Sequence, residues 1–277
     1  MKFSLVLATV GRHDEIGLFL ASLDAQSYRD FELIVVDQND DDGLVPLLRM
    51  YGTKFALRHV RSARGLSRAR NVGLKLASGD VIAFPDDDCW YPSGLLKQVA
   101  GILNADPALD GISGRFTDGE GRSDGRWLER SMMLNRYNVW HGATSITIFL
   151  RRHVVASVGQ FNESLGVGAG TAWGASEETD FLLRSLRRGH KLKFMRDLIL
   201  HHPVKTAGFD DSARTRQQKY EAGIGRVMRI NAYPPWYFPF ACLRTFVGML
   251  LALGSGNFPK ARFKYVSILA RVRGWRG

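Results

Sequence analysis

Residues 81–90 read V-I-A-F-P-D-D-D-C-W, and this stretch decides how the rest of the chain is interpreted. The apolar run Val81–Phe84 is typical of a buried β-strand, which ends at a proline and delivers three carboxylates, Asp86–Asp88. Carboxylates at the carboxyl end of such a strand lie where open α/β sheets bind their ligands. Their mutual repulsion would be offset by a hard cation such as Mg²⁺ or Mn²⁺. The alternative is an acidic turn ahead of a helix with Ser93 as its N-cap.

Strand and helix patterns alternate along the first hundred residues. Besides the strand just described, apolar runs predict strands at 3–8, 31–36 and 55–60. Alternation of this kind is typical of an α/β fold with parallel strands and crossover helices. Thr9 and Asp37 each follow one of these strands, so we expect them to meet Asp86–Asp88 at one edge of one sheet.

The turn after the first strand excludes two familiar nucleotide-binding motifs. It reads T-V-G-R at residues 9–12 and lacks the G-x-G-x-x-G fingerprint of dinucleotide-binding folds. The chain also contains no G-x-x-x-x-G-K-[ST] motif, so a P-loop is excluded. A nucleotide would have to be held by another arrangement.

A second acidic cluster follows the Gly-rich segment 165–174. Glu177, Glu178 and Asp180 occupy the first turn of a predicted helix, with Ser176 as its N-cap. Acidic residues at this position also complement the helix dipole, which explains the cluster equally well. A carboxylate beside a flexible loop could act instead as a general base toward an acceptor hydroxyl.

The predicted strand 191–200 ends at His201 and His202. A histidine at a strand end is often structural. If the first acidic cluster holds a metal, one of these imidazoles could complete its ligand shell.

The charge of the chain is concentrated at its C-terminus. The 277 residues carry a net charge of +11, and residues 222–277 contain nine basic and no acidic residues. Within this region 232–253 is apolar and aromatic, but its uncharged runs are shorter than the roughly 20 residues of a spanning helix. A helix lying on an anionic membrane fits this pattern, with a packed subdomain or a dimer contact as alternatives. The two cysteines, Cys89 and Cys242, imply no disulfide framework and favour a reducing compartment.

Two other functional classes fit the composition less well. A nucleic-acid-binding protein would account for the basic charge, but it would place that charge on a recognised binding motif rather than beside an apolar segment. A nucleotidyltransferase would need a basic, Gly-rich loop after the first strand, where only Arg12 is found.

Six motifs together resemble the inverting family 2 glycosyltransferases of bacterial cell-surface polysaccharide synthesis, which have the GT-A fold. In chain order they are L-A-T-V-G-R (7–12), V-V-D (35–37), G-L-S-R-A-R-N-V-G (65–73), F-P-D-D-D-C-W (84–90), V-G-Q-F-N-E-S-L-G-V-G (158–168) and S-E-E-T-D-F-L-L-R (176–184).

The resemblance implies transfer of a sugar from a nucleotide-diphosphate sugar to an acceptor hydroxyl. It implies these nucleotide-sugar contacts: Thr9, Arg12, Asp37, Arg70, Asn71, Asp86 and Asp87. Asp88 and Asp86, with His202, would bind Mn²⁺ or Mg²⁺. The catalytic base would be Glu178, or Glu177, because this chain has Glu-Glu where the family usually has Glu-Asp.

The resemblance also implies an acceptor side, to which we assign Trp140, His141, Trp173 and Asp180. Core packing explains the aromatic residues equally well. Residues 37–39 read D-Q-N where many relatives have D-D-G-S, which leaves the contacts to the nucleotide base open.

The expected architecture is an α/β GT-A domain, Rossmann-like, with a mixed sheet and flanking helices. It would span residues 1–205, with a nucleotide-sugar half at 1–105 and an acceptor half at 106–205, followed by a basic, amphipathic helical extension at 206–277. We expect a cytoplasmic protein, peripheral on the inner face of the membrane, acting on a lipid-linked or polysaccharide glycan and not on nucleic acid. The alternative function is an inactive domain of the same fold. The alternative role of the C-terminal extension is a homodimer contact.

Overall fold

The structure is a computed structural model that describes residues 1–123, 126–204 and 210–277. Its strands are β1 Phe3–Thr9, β2 Phe31–Asp37, β3 Ala56–Arg61, β4 Val81–Ala83, β5 Gly111–Thr117, β6 Met132–Met133, β7 Ile148–Arg151 and β8 Leu192–His201. Its helices are α1 Glu15–Asp24, α2 Val45–Gly52, α3 Leu66–Leu74, α4 Leu95–Ala105, α5 Val139–Gly142, α6 Arg152–Val158, α7 Glu177–Arg187, α8 Asp211–Ile230, α9 Tyr237–Gly254 and α10 Phe258–Arg276.

The strands form one eight-stranded sheet in the order β3-β2-β1-β4-β7-β5-β8-β6. β1 pairs in parallel with β2 and β4, and β2 pairs in parallel with β3. β7 runs antiparallel to β4 and β5, while β8 is parallel to β5 and antiparallel to β6. The predicted mixed α/β sheet with flanking helices is confirmed, and the parallel part brings three strand ends to one edge.

Hydrophobic burial on the faces of the sheet explains why α1 and α4 form where they do. α1 buries Ile16, Phe19, Leu20 and Leu23, whose spacing places them on one face of the helix. These side chains share a core cluster with apolar residues of β1, β2 and α4. Each fully buried Leu or Phe contributes about 1.5–3 kcal/mol relative to exposure. This packing fixes β1 and β2, the strands that carry Thr9 and Asp37.

The start of α4 differs from the sequence prediction. We expected Ser93 to be the N-cap, but the N-cap is Gly94, and no side-chain cap bond is made. The carbonyl of Ser93 accepts hydrogen bonds from the backbone N–H and the hydroxyl of Ser27. Ser93 therefore belongs to the turn that holds the segment after α1.

The chain divides into two compact units. The first contains residues 1–64, 68–161 and 181–205 and includes the whole sheet, and the second contains residues 65–67, 162–180 and 206–277. The Gly-rich segment thus groups with the C-terminal helices. The boundary expected between residues 205 and 206 lies outside the described residues.

A buried carboxylate fastens the amino edge of the sheet. Glu32 on β2 has a side chain only 3% exposed, and it accepts hydrogen bonds from the Ser4 hydroxyl at 2.7 Å and from the N–H and hydroxyl of Ser78 at 2.7 Å each. The ammonium of Lys2 lies 3.2 Å away. Burial by itself raises the pKa of Glu32, but these donors outweigh it and lower the pKa to about 2.

We expect Glu32→Gln to lower the free energy of unfolding at pH 7 by about 2–3 kcal/mol. Because the pKa of the folded state lies below the usual value of 4.5, the contribution is fully present above about pH 4.5 and is lost as the pH falls toward 2. Urea denaturation from pH 7 to pH 3 should therefore show a flatter pH dependence for the variant than for the wild type. Glu129→Gln, at an exposed position, is the matched control, and equal pH profiles for Glu32→Gln and the wild type would contradict the assignment.

Candidate functional site

The carboxyl edge of the parallel strands carries the candidate site. Thr9 at the end of β1 pairs in register with Asp37 at the end of β2. β4 lies on the other side of β1, and the segment after it carries Asp86, Asp87 and Asp88. The parallel alignment brings these polar strand ends to the same edge, as the sequence predicted.

Asp87 is buried between two donors from the turn after β1. Its carboxylate accepts a hydrogen bond from the Thr9 hydroxyl at 2.8 Å and from the Arg12 guanidinium at 2.8 Å. Burial raises the pKa of Asp87 to about 6, in spite of these two donors. Thr9 and Arg12 thus bind Asp87 directly. The sequence predicted only that Thr9 and Asp87 lie at the same edge of the sheet.

Asp88 lies between two cationic groups. One carboxylate oxygen contacts the Arg12 guanidinium, and the other lies 3.0 Å from Nε2 of His202. Burial would raise the pKa of Asp88, but the hydrogen bond and charge of His202, with Arg12, lower it to about 2. Asp88 is therefore a carboxylate at neutral pH.

The hydrogen bond made by Nδ1 of His202 leaves Nε2 available to bind a cation. Nδ1 lies 2.8 Å from the carbonyl oxygen of Pro203. Since a carbonyl only accepts, Nδ1 carries a proton, and a neutral ring then turns the lone pair of Nε2 toward the Asp88 carboxylate. That pairing is stable only if the ring is protonated or a metal ion lies between the two groups. Burial lowers the pKa of His202, but Asp88 outweighs it and the pKa is raised.

Three side chains at this edge fit a divalent metal. Donor atoms of Asp86, Asp88 and His202 all lie within 4.8 Å of one another. Two carboxylates and one imidazole suit Mn²⁺, which accepts nitrogen as well as oxygen ligands. Asp86 also lies 3.2 Å from the guanidinium of Arg70, a fully buried side chain that packs against the rings of Phe84 and Phe161. The predicted metal ligands are therefore together in the structure.

Asp37 has partners that sequence reasoning missed. Its buried carboxylate lies 2.9 Å from Nε2 of His59 and 3.0 Å from the Arg61 guanidinium, both on β3. It also accepts hydrogen bonds from the backbone and side-chain amides of Asn39 at 2.9 Å. Arg61 pairs in register with Asp37 across β2 and β3. A predicted strand at 55–60 beside 31–36 could have suggested this contact, but its weak hydrophobic pattern left the register open.

Asn71 lies in the interior and forms a two-way link. Its side-chain amide donates to the carbonyl of Phe161 at 3.0 Å, and its side-chain oxygen accepts from the N–H of Phe161 at 2.7 Å. This pairing fixes the segment after α6 against α3. Its predicted contact with a nucleotide sugar stays a prediction.

The predicted catalytic carboxylates begin α7 and belong to the second unit. Glu177 is 5% exposed, and Glu178 is half-buried. A Cβ on Gly166 would lie 3.1 Å from a carboxylate oxygen of Glu177, and Gly166 has a φ of +94°. Glycine at this position therefore lets the loop close over Glu177. The structure leaves Glu178 the more accessible of the two.

The two acceptor-side candidates in the second unit have structural partners. Asp180 is buried and accepts a hydrogen bond at 2.9 Å from the side chain of Asn231, the C-cap residue directly after α8. The guanidinium of Arg226 lies over the ring of Trp173, 4.3 Å from its centroid. Both side chains fasten segment 162–180 to α8, and a role toward an acceptor remains a prediction for them.

A cavity of about 950 Å³ opens within the second unit, beside the Gly-rich segment. One wall is formed by Gly166–Thr171, and the other by the first half of α8, with Asp211, Arg216, Lys219 and Tyr220. Its lining carries two cations, Arg216 and Lys219, and one carboxylate, Asp211, and could receive a hydroxyl-rich or anionic group.

Trp140 and His141 lie on α5 in the first unit. Burial lowers the pKa of His141, and its carbonyl accepts from the N–H of Leu128. The adjacent Gly142 carbonyl accepts from Ser113 on β5 at 2.5 Å. These contacts attach α5 to β5, and the predicted acceptor role of Trp140 and His141 also stays a prediction.

Comparison with known proteins adds a family and two structures. The sequence model described as "Glycosyl transferase family 2" matches residues 4–159. Glycosyltransferase AglE of Haloferax volcanii is 24% identical over 269 residues, which cover 93% of this chain and 81% of that protein. The poly(ribitol-phosphate) beta-N-acetylglucosaminyltransferase TarS of Staphylococcus aureus is 29% identical over 126 residues, which cover 42% of this chain but only 22% of TarS.

Two solved structures share the fold. Residues 1–349 of S. aureus TarS in complex with UDP-GlcNAc superpose with a TM-score of 0.65 at 20% identity, covering 84% of this chain and 66% of that one. The mannosyltransferase PcManGT of Pyrobaculum calidifontis, in complex with GDP-Man and Mn²⁺, superposes with a TM-score of 0.66 at 17% identity, covering 99% and 86%. The GT-A fold predicted from the sequence is confirmed.

We expect Arg12→Gln to destabilise the metal-free protein by about 1–2 kcal/mol, because it removes the cation that faces both Asp87 and Asp88. A divalent cation bound by the remaining carboxylates should recover much of this loss. Thermal unfolding in EDTA and in millimolar Mn²⁺ measures both effects.

Arg49→Gln, on the exposed side of α2, is the matched control and should behave as the wild type. If Arg12→Gln unfolds at the wild-type temperature in EDTA, Arg12 does not neutralise the cluster. If Mn²⁺ raises the unfolding temperature of the variant and of the wild type equally, Arg12 does not interact with the metal site.

Proposed function

The chain belongs to glycosyl transferase family 2, and from this premise we propose that it transfers a sugar from a nucleotide-diphosphate sugar to an acceptor hydroxyl with inversion at the anomeric carbon. The observation that carries the proposal is the convergence of Asp86–Asp88, Arg12 and His202 at the carboxyl edge of the sheet. Ligands of α/β sheets bind at this edge. The donor complexes of TarS and PcManGT support the same class of donor.

The donor side of the mechanism rests on charge. Asp86, Asp88 and His202 would hold Mn²⁺ or Mg²⁺, which when bound supplies positive charge to the departing nucleoside diphosphate. Arg12 lies against Asp88 and contributes a further fixed positive charge beside that group. Arg70, buried beneath Asp86, orients the Asp86 carboxylate. Asp37 with its partners His59 and Arg61 forms the part of the edge assigned to the nucleotide base.

The acceptor side requires a base. We assign this role to Glu178, because Glu177 lies buried against Gly166. The Glu178 carboxylate takes the proton of the acceptor hydroxyl, and the oxygen attacks the anomeric carbon of the donor. A glycosidic bond forms as the bond between that carbon and the diphosphate oxygen breaks. Attack opposite the leaving group inverts the configuration.

The cavity beside α8 is our candidate for the acceptor. Its wall contains Arg216 and Lys219, which suit an acceptor that carries phosphate groups. The name of TarS includes poly(ribitol-phosphate). We propose an acceptor that likewise carries phosphate, within the class of lipid-linked or polysaccharide glycans. The Gly-rich segment that forms the opposite wall would close over the bound glycan.

The proposal predicts that one of UDP, GDP and dTDP raises the melting temperature only when Mn²⁺ is present. A ligand at 100 times its Kd stabilises the folded state by about 2.7 kcal/mol. Asp88→Asn should abolish this shift, and Asp14→Asn, an exposed aspartate of the same charge, should retain it. Glu178→Gln should keep the shift but slow release of nucleoside diphosphate from the matching sugar donor about 10²–10⁴-fold.

Glu177→Gln is the matched variant for the base. If it loses turnover and Glu178→Gln does not, the base is Glu177. If no nucleotide stabilises the wild type under any metal condition, the donor site is refuted, and an inactive domain of the same fold becomes the better description.

The C-terminal helices support a second part of the proposal, attachment to an anionic membrane. α9 could cross a membrane by its length and composition, with a mean hydropathy of 1.5 and only 17% of its residues buried. Its exposed apolar side chains are Phe240, Leu243, Phe246, Val247, Leu250, Leu251 and Leu253. Basic side chains flank them on α9 and α10, namely Arg244, Lys260, Arg262 and Lys264. An apolar face bordered by cations suits a helix that lies in the interface of an anionic bilayer.

We expect the full chain to bind vesicles that contain phosphatidylglycerol more tightly than vesicles of phosphatidylcholine alone. Leu243→Asp/Leu251→Asp should reduce the bound fraction at least tenfold, because it places two charges in the apolar face. Co-sedimentation measures this, with Leu18→Asp/Met50→Asp, two exposed apolar residues of the first unit, as the matched control.

Equal binding by the two double variants would contradict a role of α9 at the membrane. A dimer contact is the alternative. In that case the wild type binds neither kind of vesicle and sediments as a dimer, and Leu243→Asp/Leu251→Asp sediments as a monomer.

A further inference from the structure

A second group of metal-ligating side chains lies in the first unit, apart from the site described above. Donor atoms of Asp110, His153 and His190 all lie within 4.8 Å of one another. We propose that these three residues form a zinc site that joins the starts of β5, α6 and β8. This proposal is independent of the proposed glycosyl transfer.

The backbone holds Asp110 in place from both sides. Its N–H donates to the carbonyl of Lys191, and its carbonyl accepts from the N–H of Arg151, at 2.9 and 2.8 Å. One carboxylate oxygen accepts from the N–H of Lys191 at 2.7 Å. The carboxylate is thus oriented before any ligand binds, which reduces the cost of ordering it.

Two imidazoles face this carboxylate. Nε2 of His153 lies 2.6 Å from one oxygen, and Nδ1 of His190 lies 3.7 Å from the other. The neighbouring arginines are directed elsewhere, since Arg151 donates to the carbonyls of Leu103 and Leu109, and Arg152 donates to that of Gly79. Among the described residues, the side chains that pair with Asp110 are these histidines alone.

Without a cation, neither neutral tautomer of His190 is well satisfied. Its side chain is only 15% exposed, and its Nε2 is buried with no hydrogen-bond partner in the described parts of the chain. A proton on Nε2 leaves the lone pair of Nδ1 directed toward a carboxylate, while a proton on Nδ1 is too far from that carboxylate for a hydrogen bond at 3.7 Å. A metal ion between Nδ1 and Asp110 removes the repulsion in the first arrangement, and it leaves the contacts of Nε2 unchanged.

The ligand set favours zinc. Two imidazoles and one carboxylate form a common three-residue zinc set, in which water takes the fourth position. Zinc also binds nitrogen ligands more tightly than manganese does. Tetrahedral ligands of zinc lie about 3.3 Å apart, so Asp110 and His153 must separate by about 0.7 Å. The side chain of His153 is 55% exposed and can make this movement.

The two metal-ligating groups lie at opposite edges of the sheet. His190 lies two residues before β8 and His202 directly after it, and β8 has ten residues. Because β8 runs alongside only Gly111–Thr117 of β5, with a register shift on the way, the two ends of β8 are roughly 20 Å apart at about 3.3 Å per residue. A zinc ion at Asp110 would therefore stabilise the fold without contacting the donor site.

The test uses the full chain without a polyhistidine tag, stripped with EDTA and carrying Asp88→Asn to remove the first cluster. We expect it to bind one Zn²⁺ per chain, with a rise in melting temperature and, for Co²⁺, the visible absorption of a tetrahedral site. Adding His153→Gln should weaken Zn²⁺ binding at least tenfold and remove the Co²⁺ spectrum. His13→Gln, an exposed histidine, should change neither.

No Zn²⁺ binding at micromolar concentration in the folded Asp88→Asn protein would overturn the proposal. Unchanged Zn²⁺ affinity after addition of His153→Gln would overturn it as well. If Asp88→Asn does not fold, native mass spectrometry of the wild type and of His153→Gln decides, since the variant must hold one Zn²⁺ fewer. The Mn²⁺-dependent response to nucleotide should be the same in His153→Gln and the wild type, and its loss would show that the two groups do not act separately.

Discussion

Repulsion between carboxylates at one edge of the sheet is the constraint on which the rest of the site depends. The parallel order of β1, β2 and β4 brings Asp37 to the same edge as Asp86–Asp88. Two carboxylates 5 Å apart repel by roughly 3 kcal/mol at an effective dielectric constant of 20. Arg12 and His202 offset this charge at Asp88. Asp87 keeps a raised pKa of about 6, because its burial is only partly compensated.

The two compact units divide the expected chemistry between them. The first unit gathers charged groups on a rigid sheet, where strand register fixes their separation. The second carries Glu177 and Glu178 beside a loop in which Gly166, Gly168 and Gly170 all have positive φ. Such backbone suits glycine, and a chain of these residues can change shape at low cost.

The two groups proposed to bind metal ions differ in composition and in surroundings. Asp86, Asp88 and His202 lie at the carboxyl edge beside the cations of Arg12 and Arg70, where a bound ion can face a ligand. Asp110, His153 and His190 lie at the amino edge, where backbone hydrogen bonds hold the carboxylate. The first group offers more oxygen ligands and the second more nitrogen. An ion at the carboxyl edge would act on substrate, whereas an ion at the amino edge would join strands.

The amino-acid sequence by itself determined the α/β class, the strand ends that carry Thr9, Asp37 and Asp86–Asp88, and the family, because hydrophobic periodicity and contiguous motifs are local properties. It did not determine that Arg12 pairs with Asp88, that His59 and Arg61 hold Asp37, or that Asp110 meets two histidines. These contacts join residues between 22 and 80 positions apart, and they depend on strand order and register. Only packing of the sheet decides which strands become neighbours, so only the tertiary structure could reveal them.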